Sequence, residues 1–310
     1  MKRKGSLTLL SLFALLLSGC NLLPTPKKGG EGPNGGSSTS GATSESSQEE
    51  GTEDEVITPE EGVIPGDEPE IPLDEDTKAY YSTLDDSKTG SALLNELNSL
   101  NKSKRKKTIG YNNFKTMFQY TEVDPKGTTP SGKMYGFYDN ALVSATWDNV
   151  TWNREHVWPE SRGGGKVDAD ILMTRPTSVK INSDRGNNVY GLVSGSYDPG
   201  QFIPEYRGVA ARIILYCAIA DTSLNLNEST VFSDNTMGIL SQLLKWNLDY
   251  LPGGKDSESL ALRIEWNRNE VNQKRDDMQG NRNPFVDHPE YACRIWGTKS
   301  SETKAACGIS

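Results

Sequence analysis

The chain has 310 residues, of which 34% are hydrophobic and 24% charged, with a formal net charge of −9. That length suits about two domains, and acidity spread evenly would argue against a nucleic-acid partner, because like charge repels phosphate. It is not spread evenly: residues 1–77 hold five Lys/Arg and fifteen Asp/Glu (−10), whereas residues 78–310 hold 28 and 27 (+1), so the exclusion applies only to the first quarter.

Lys2, Arg3 and Lys4 precede an apolar run at residues 7–17 that ends in Leu17-Ser18-Gly19-Cys20, the layout of a secretory signal with small residues before its cleavage point. The run is shorter than the about 20 residues that span a bilayer. An ordinary cleaved signal would leave Cys20 incidental, but Leu-Ser-Gly-Cys resembles a bacterial lipobox, in which the Cys is acylated and two or more chains give a stable anchor. Residues 1–20 are therefore expected to be a lipoprotein signal, and the protein to be exported and held on the outer side of the cell membrane through Cys20. Residues 21–77 are rich in Gly, Ser, Pro and Glu. They carry too few apolar groups to offset an ordering entropy of about 1–2 kcal/mol per residue, and read as a disordered acidic linker. Residues 78–310 remain as one folded domain.

Within that domain, residues 91–100 show helical apolar spacing and lead into the basic run Lys102, Lys104, Arg105, Lys106 and Lys107, read as a solvated face or a local cationic patch. Residues 111–152 are aromatic-rich and broken by Asp124-Pro125, Thr129-Pro130, Gly132 and Asp139-Asn140, which predicts short strands and turns. Helices are predicted at 209–220 (buried), 237–246 (amphipathic) and 258–274, the last after Ser257 as N-cap. The class is α+β with a helix-rich C-terminal half. Cys217 lies in the buried helix as a packed thiol. Cys293 and Cys307 are available to pair in an exported protein, though nothing in the sequence fixes their geometry.

Only two histidines exist, His156 and His288, so imidazole chemistry has to use one of them. His156 sits in Trp152-Asn153-Arg154-Glu155-His156-Val157-Trp158-Pro159, where flanking Trp residues suggest a strand end whose polar groups rest on a packed scaffold. A second polar cluster runs from Arg175-Pro176 to Asn182-Ser183-Asp184-Arg185-Gly186-Asn187-Asn188. It reads either as a turn leading into a helix or as a source of hard oxygen ligands that, with Glu155 and waters, suit Mg²⁺. An imidazole beside such a cation can deprotonate water while Arg balances phosphate charge.

Four blocks, in order, resemble the bacterial endonuclease I family: Asn153 to Pro159, Arg175-Pro176-Thr177, Ile181 to Asn187, and Glu265 to Glu290 with its Asn267-Arg268-Asn269 and Asn281-Arg282-Asn283 clusters. The resemblance implies a His-Me finger (ββα-metal) nuclease core without sequence specificity. It further implies Glu155 and Asn187 as ligands of Mg²⁺ (or another divalent cation such as Mn²⁺ or Ca²⁺), His156 as general base, and an arginine on the scissile phosphate, with Arg154, Arg175 and Arg185 as candidates. Extracellular DNA is the implied substrate, RNA a further one; 5′-phosphate ends are the products and a monomer is expected. One departure stands out: where members commonly read Asp-Leu-His-His-Leu-Arg-Pro, this chain has Asp170-Ile171-Leu172-Met173-Thr174-Arg175-Pro176. Loss of both histidines either repacks the motif or lowers activity, since outer-shell changes of this kind cost about 10–100-fold. The rival readings are a catalytically silent surface lipoprotein that binds nucleic acid or protein, and, less well supported, a carbohydrate-active enzyme, for which no pair of acids stands out.

Overall fold

A computed structural model describes residues 72–231 and 235–310, all within the unit Pro59–Ser310. The predicted signal, Cys20 and the linker up to residue 71 lie outside the described residues. Ten helices and eight short strands follow in this order among the described residues: α1 (Glu75–Tyr81), α2 (Gly90–Lys104), α3 (Phe114–Thr121), β1 (Lys133–Tyr135), β2 (Leu142–Ser144), β3 (Trp152–His156), β4 (Thr174–Ser178), α4 (Val179–Arg185), β5 (Val189–Tyr190), β6 (Ser196–Tyr197), α5 (Tyr206–Ala220), β7 (Asn225–Leu226), β8 (Thr236–Met237), α6 (Leu240–Asp249), α7 (Leu260–Lys274), α8 (Pro284–Asp287), α9 (Tyr291–Trp296) and α10 (Ser301–Ala306). The mixture agrees with an α+β class and a helix-rich second half. None of these helices is long and apolar enough to cross a membrane.

Helix α5 is the centre of the main core. Its apolar residues recur on all sides, so every residue from Val209 to Ile219 is buried, as expected of a helix surrounded by protein. Arg212 is accommodated in this core because Glu265 of α7 meets it with two hydrogen bonds, Nε–Oε1 at 2.8 Å and Nη2–Oε2 at 2.7 Å, and its Nη1 donates to the Tyr250 carbonyl at 2.7 Å. Cys217 is buried and unpaired, as its apolar context predicts. A second, smaller core gathers Phe114 and Phe118 of α3, Met134, Val143, Trp152, Ile171 and Met278. Strand β3 enters this core at Trp152, and Val157 and Trp158 carry the chain on into the main one.

Two sequence expectations need correction. Residues 114–121 were assigned to strands and turns and form a helix instead, because Phe114, Phe118 and Thr121 recur at helical spacing and are the residues it buries. The Asn/Asp-rich segment before Gly186 is not a turn leading into a helix; it is the helix. Ser178 caps α4 by accepting from the Ile181 N–H at 3.2 Å, and Ile181 anchors it.

The C-terminal clusters prove to be internal supports. Arg282 pairs with Asp287 and Glu270 at 2.6 Å each, Asn281 donates to Asn101 and Tyr216 at 2.7 Å each, and buried Arg268 pairs with Glu122. His288 stacks on Tyr291 at 4.6 Å and meets Glu290 at 3.1 Å, a packed turn away from β3. Cys293 and Cys307 form a disulfide with Cα atoms 5.8 Å apart and a sequence separation of 14. Closing a loop of that size contributes about 3 kcal/mol, mainly by restricting the unfolded chain. The double variant Cys293→Ser/Cys307→Ser is therefore expected to lose about 2–4 kcal/mol in urea unfolding. An unchanged unfolding midpoint would contradict this.

Candidate active site

Strands β3 and β4 pair antiparallel, Trp152 opposite Ser178 and His156 opposite Thr174, and β4 runs directly into α4. Side chains alternate along a strand, and the contacts show which face each takes. Trp152, Arg154 and His156 turn towards Tyr111 and α3: Trp152 lies 6.0 Å from Phe118, and the Arg154 guanidinium and the His156 ring lie 3.7 and 4.8 Å from the Tyr111 ring. Asn153 and Glu155 turn towards α4, where Asn153 Oδ1 accepts from Asn182 at 2.9 Å and Glu155 Oε1 lies 3.3 Å from Arg185 Nε. As neighbours in sequence, Glu155 and His156 thus project to opposite faces. Any group that meets both side chains has to sit across the end of β3, where the ladder stops.

Arg185 builds that end. Its Nη1 donates to the carbonyls of His156 (3.3 Å) and Gly186 (3.0 Å), and its Nη2 to Val157 (2.5 Å). One planar fork therefore ties the last residues of β3 to the chain leaving α4. Gly186 takes a positive φ of 55°, and Asn187 follows it at the surface. The Asn187 carbonyl accepts from Arg162 at 2.7 Å, while its side-chain amide makes no hydrogen bond among the described residues.

Glu155 is 2% exposed. Burial pushes its carboxyl above the usual carboxylate range, opposed by the charge of Arg185 and by the hydroxyl of Tyr138, which donates to Oε1 at 2.8 Å. The other oxygen, Oε2, accepts no hydrogen bond among the described residues. The His156 ring is half-buried and likewise unbonded; burial lowers its pKa below the usual value.

Among the described residues no group of three or more His, Cys, Asp and Glu side chains could hold a metal ion. What the site offers instead is two hard oxygens without hydrogen bonds, Glu155 Oε2 and Asn187 Oδ1. That donor set suits Mg²⁺, which keeps most of its waters and takes one or two protein ligands.

Comparison with known proteins gives the family. The Endonuclease I family model matches residues 89–204, a span that holds β3, β4 and α4. The extracellular ribonuclease of Bacillus amyloliquefaciens is 33% identical over 242 residues, 71% of this chain and 79% of that protein. The extracellular ribonuclease of Bacillus subtilis (strain 168) is 30% identical over 243 residues, again 71% and 79%. The chain belongs to the endonuclease I family. No solved structure matches it.

Within this family member the three candidate arginines differ sharply in setting. Arg154 is half-buried on the His156 face, with Nη1 donating to the Tyr111 carbonyl at 2.7 Å and Asn112 Oδ1 at 3.2 Å. Arg175 is 4% exposed; burial pushes its pKa down to about 9, and Nη1 donates to the Leu172 carbonyl at 3.3 Å. Arg185 is committed to the clamp described above. Leu172 and Met173, where family resemblance leads one to expect histidine, are buried in the main core. Those positions are repacked as apolar. Sequence reasoning missed Tyr111, Tyr138 and Tyr190, whose nearness to the motif only the folded chain reveals.

Proposed function

We propose that the chain is an exported nuclease of the His-Me finger type, in which β3, β4 and α4 form the ββα unit and His156 is the general base. One observation carries this reading: the Arg185 fork gathers the ends of β3 and α4, so that Glu155, His156 and Asn187 share one end of the motif. His156 takes a proton from a water molecule as that water attacks phosphorus, the P–O3′ bond breaks, the departing O3′ takes a proton from solvent to become a 3′-hydroxyl, and a 5′-phosphate remains on the other product. Glu155 and Asn187 would hold a divalent cation, Mg²⁺ first, which when bound would supply positive charge to the phosphate oxygens. Arg154, on the His156 face, is the arginine assigned to the phosphate, because Arg175 is enclosed and Arg185 is tied to carbonyls.

The substrate is nucleic acid outside the cell, read through its backbone and not its bases. RNA comes first, since both relatives are named extracellular ribonucleases, and DNA second. Acylation at Cys20 holds the domain at the membrane, and the acidic linker gives it reach.

The test is direct. Labelled RNA and plasmid DNA are incubated with the purified protein, with Mg²⁺ or with chelator, beside His156→Ala, and the product ends are identified. The proposal expects Mg²⁺-dependent cleavage to 5′-phosphates that chelator and the substitution both suppress. Intact substrate in every lane, with binding retained in a gel shift, would favour the silent-lipoprotein reading instead.

A further inference from the structure

The buried surroundings of Glu155 contain two groups that the proposed chemistry does not use. Tyr138 and Tyr190 are both fully buried, so neither can touch a nucleic acid. The Tyr138 hydroxyl donates to Glu155 Oε1 at 2.8 Å and lies 2.6 Å from the Tyr190 hydroxyl. A phenol has one proton to give. With that of Tyr138 committed to the carboxylate, Tyr190 has to donate to Tyr138, and the chain runs Tyr190 to Tyr138 to Glu155. Arg185 closes it from the other side, its Nε 3.3 Å from the same Oε1 and its guanidinium 5.1 Å from the Tyr190 ring.

Both contacts to the carboxylate, from Tyr138 and from Arg185, fall on Oε1. Oε2 is left without a hydrogen bond among the described residues. The backbone also bears a sign of constraint: Tyr138 has φ 83°, a left-handed conformation unusual for a bulky side chain and found where surrounding structure overrides local preference. A loop relaxed to ordinary φ values would aim the ring elsewhere.

Resting on the reading of Glu155 as a metal ligand, we propose that Tyr138 and Tyr190 are positioning residues. Their relayed hydroxyls fix Oε1 and so would present Oε2 to a divalent cation. Outer groups that orient a ligating carboxylate act in this way in metal sites generally. In this chain the polar support comes from two tyrosines, while Leu172 and Met173 are apolar and buried.

Metal affinity reads this out without turnover. Mn²⁺ binding is followed by electron paramagnetic resonance in the wild-type protein and in Tyr138→Phe, Tyr190→Phe and Glu155→Gln, with thermal unfolding of each metal-free variant alongside. Tyr138→Phe is expected to weaken Mn²⁺ binding by about 10–100-fold. Tyr190→Phe should weaken it by a smaller factor, because its hydroxyl acts one step removed. At saturating Mn²⁺ both should keep the wild-type KM for RNA. If Glu155→Gln loses Mn²⁺ while Tyr138→Phe binds it as tightly as wild type, the positioning role is overturned and the metal reading stands. If Glu155→Gln binds as wild type, both fall. Should Tyr138→Phe fail to fold, Tyr190→Phe decides: wild-type affinity in that variant overturns the relay.

Discussion

Replacing His156 by Ala is expected to slow RNA cleavage by about 10²–10⁴-fold, the usual contribution of a positioned general base, with little change in KM or in unfolding midpoint. The ring makes no hydrogen bond among the described residues and touches the fold through Tyr111, 4.8 Å away, so its removal deletes chemistry more than structure. The same setting fixes the direction of the pH dependence. Burial disfavours the imidazolium, opposed by the charges of Glu160 and Asp168 and reinforced by Arg154 and Arg185, and the pKa falls below the usual 6.5. A divalent cation held at Glu155 would act with the same sign. A base must be neutral to accept a proton, so the acid limb of kcat against pH is expected below pH 6.5. Tyr111→Leu, which uncovers the ring, should move that limb upward. A limb above 6.5 in the wild-type protein would contradict the assignment.

The second large effect is expected at Arg185. Arg185→Met keeps most of the volume but leaves the carbonyls of His156, Val157 and Gly186 without their donor and Glu155 buried without its cation. Removing one partner of a buried ion pair costs about 3–5 kcal/mol, and cleavage should fall with it because the ends of β3 and α4 are no longer joined. Lys is not expected to rescue, since an ammonium lacks the planar fork that serves three carbonyls. The stability deficit also has a pH signature. Because the folded carboxyl already titrates above its usual 4.5, losing Arg185 raises it further. The deficit is then greatest at neutral pH and shrinks as the acid takes up its proton. Urea unfolding at pH 7 and pH 5 measures both terms. Wild-type stability at neutral pH would mean that the clamp is not what holds the site.

Much of this site is legible in the sequence, for physical reasons that differ by residue. The strand ending at His156 is legible because paired Trp residues bracket a short polar run, and α5 because its apolar run is too long and continuous for a surface element. Helix α3 is not, since Phe114, Phe118 and Tyr120 carry the aromatic signal of strands although the spacing is helical. Helix α4 is masked by Asn and Asp, which favour turns until a cap such as Ser178 and an anchor such as Ile181 outweigh them. The role of Arg185 is hidden for another reason: it depends on carbonyls 28 and 29 residues away. The same holds for Tyr138, 17 residues from Glu155 and 52 from Tyr190, with a backbone conformation that no local pattern announces. Charge likewise misleads until it is divided by segment: residues 1–77 carry −10 and residues 78–310 carry +1.

The central claim, that the His156 imidazole removes the proton from the attacking water, is tested most directly by chemical rescue. His156→Ala is assayed on RNA at saturating Mg²⁺ with added imidazole and substituted imidazoles over a range of pH. Cleavage is expected to recover in proportion to the concentration of free-base imidazole and to rise with its basicity, still yielding 5′-phosphates. Cleavage by His156→Ala at the wild-type rate without any added base would contradict it.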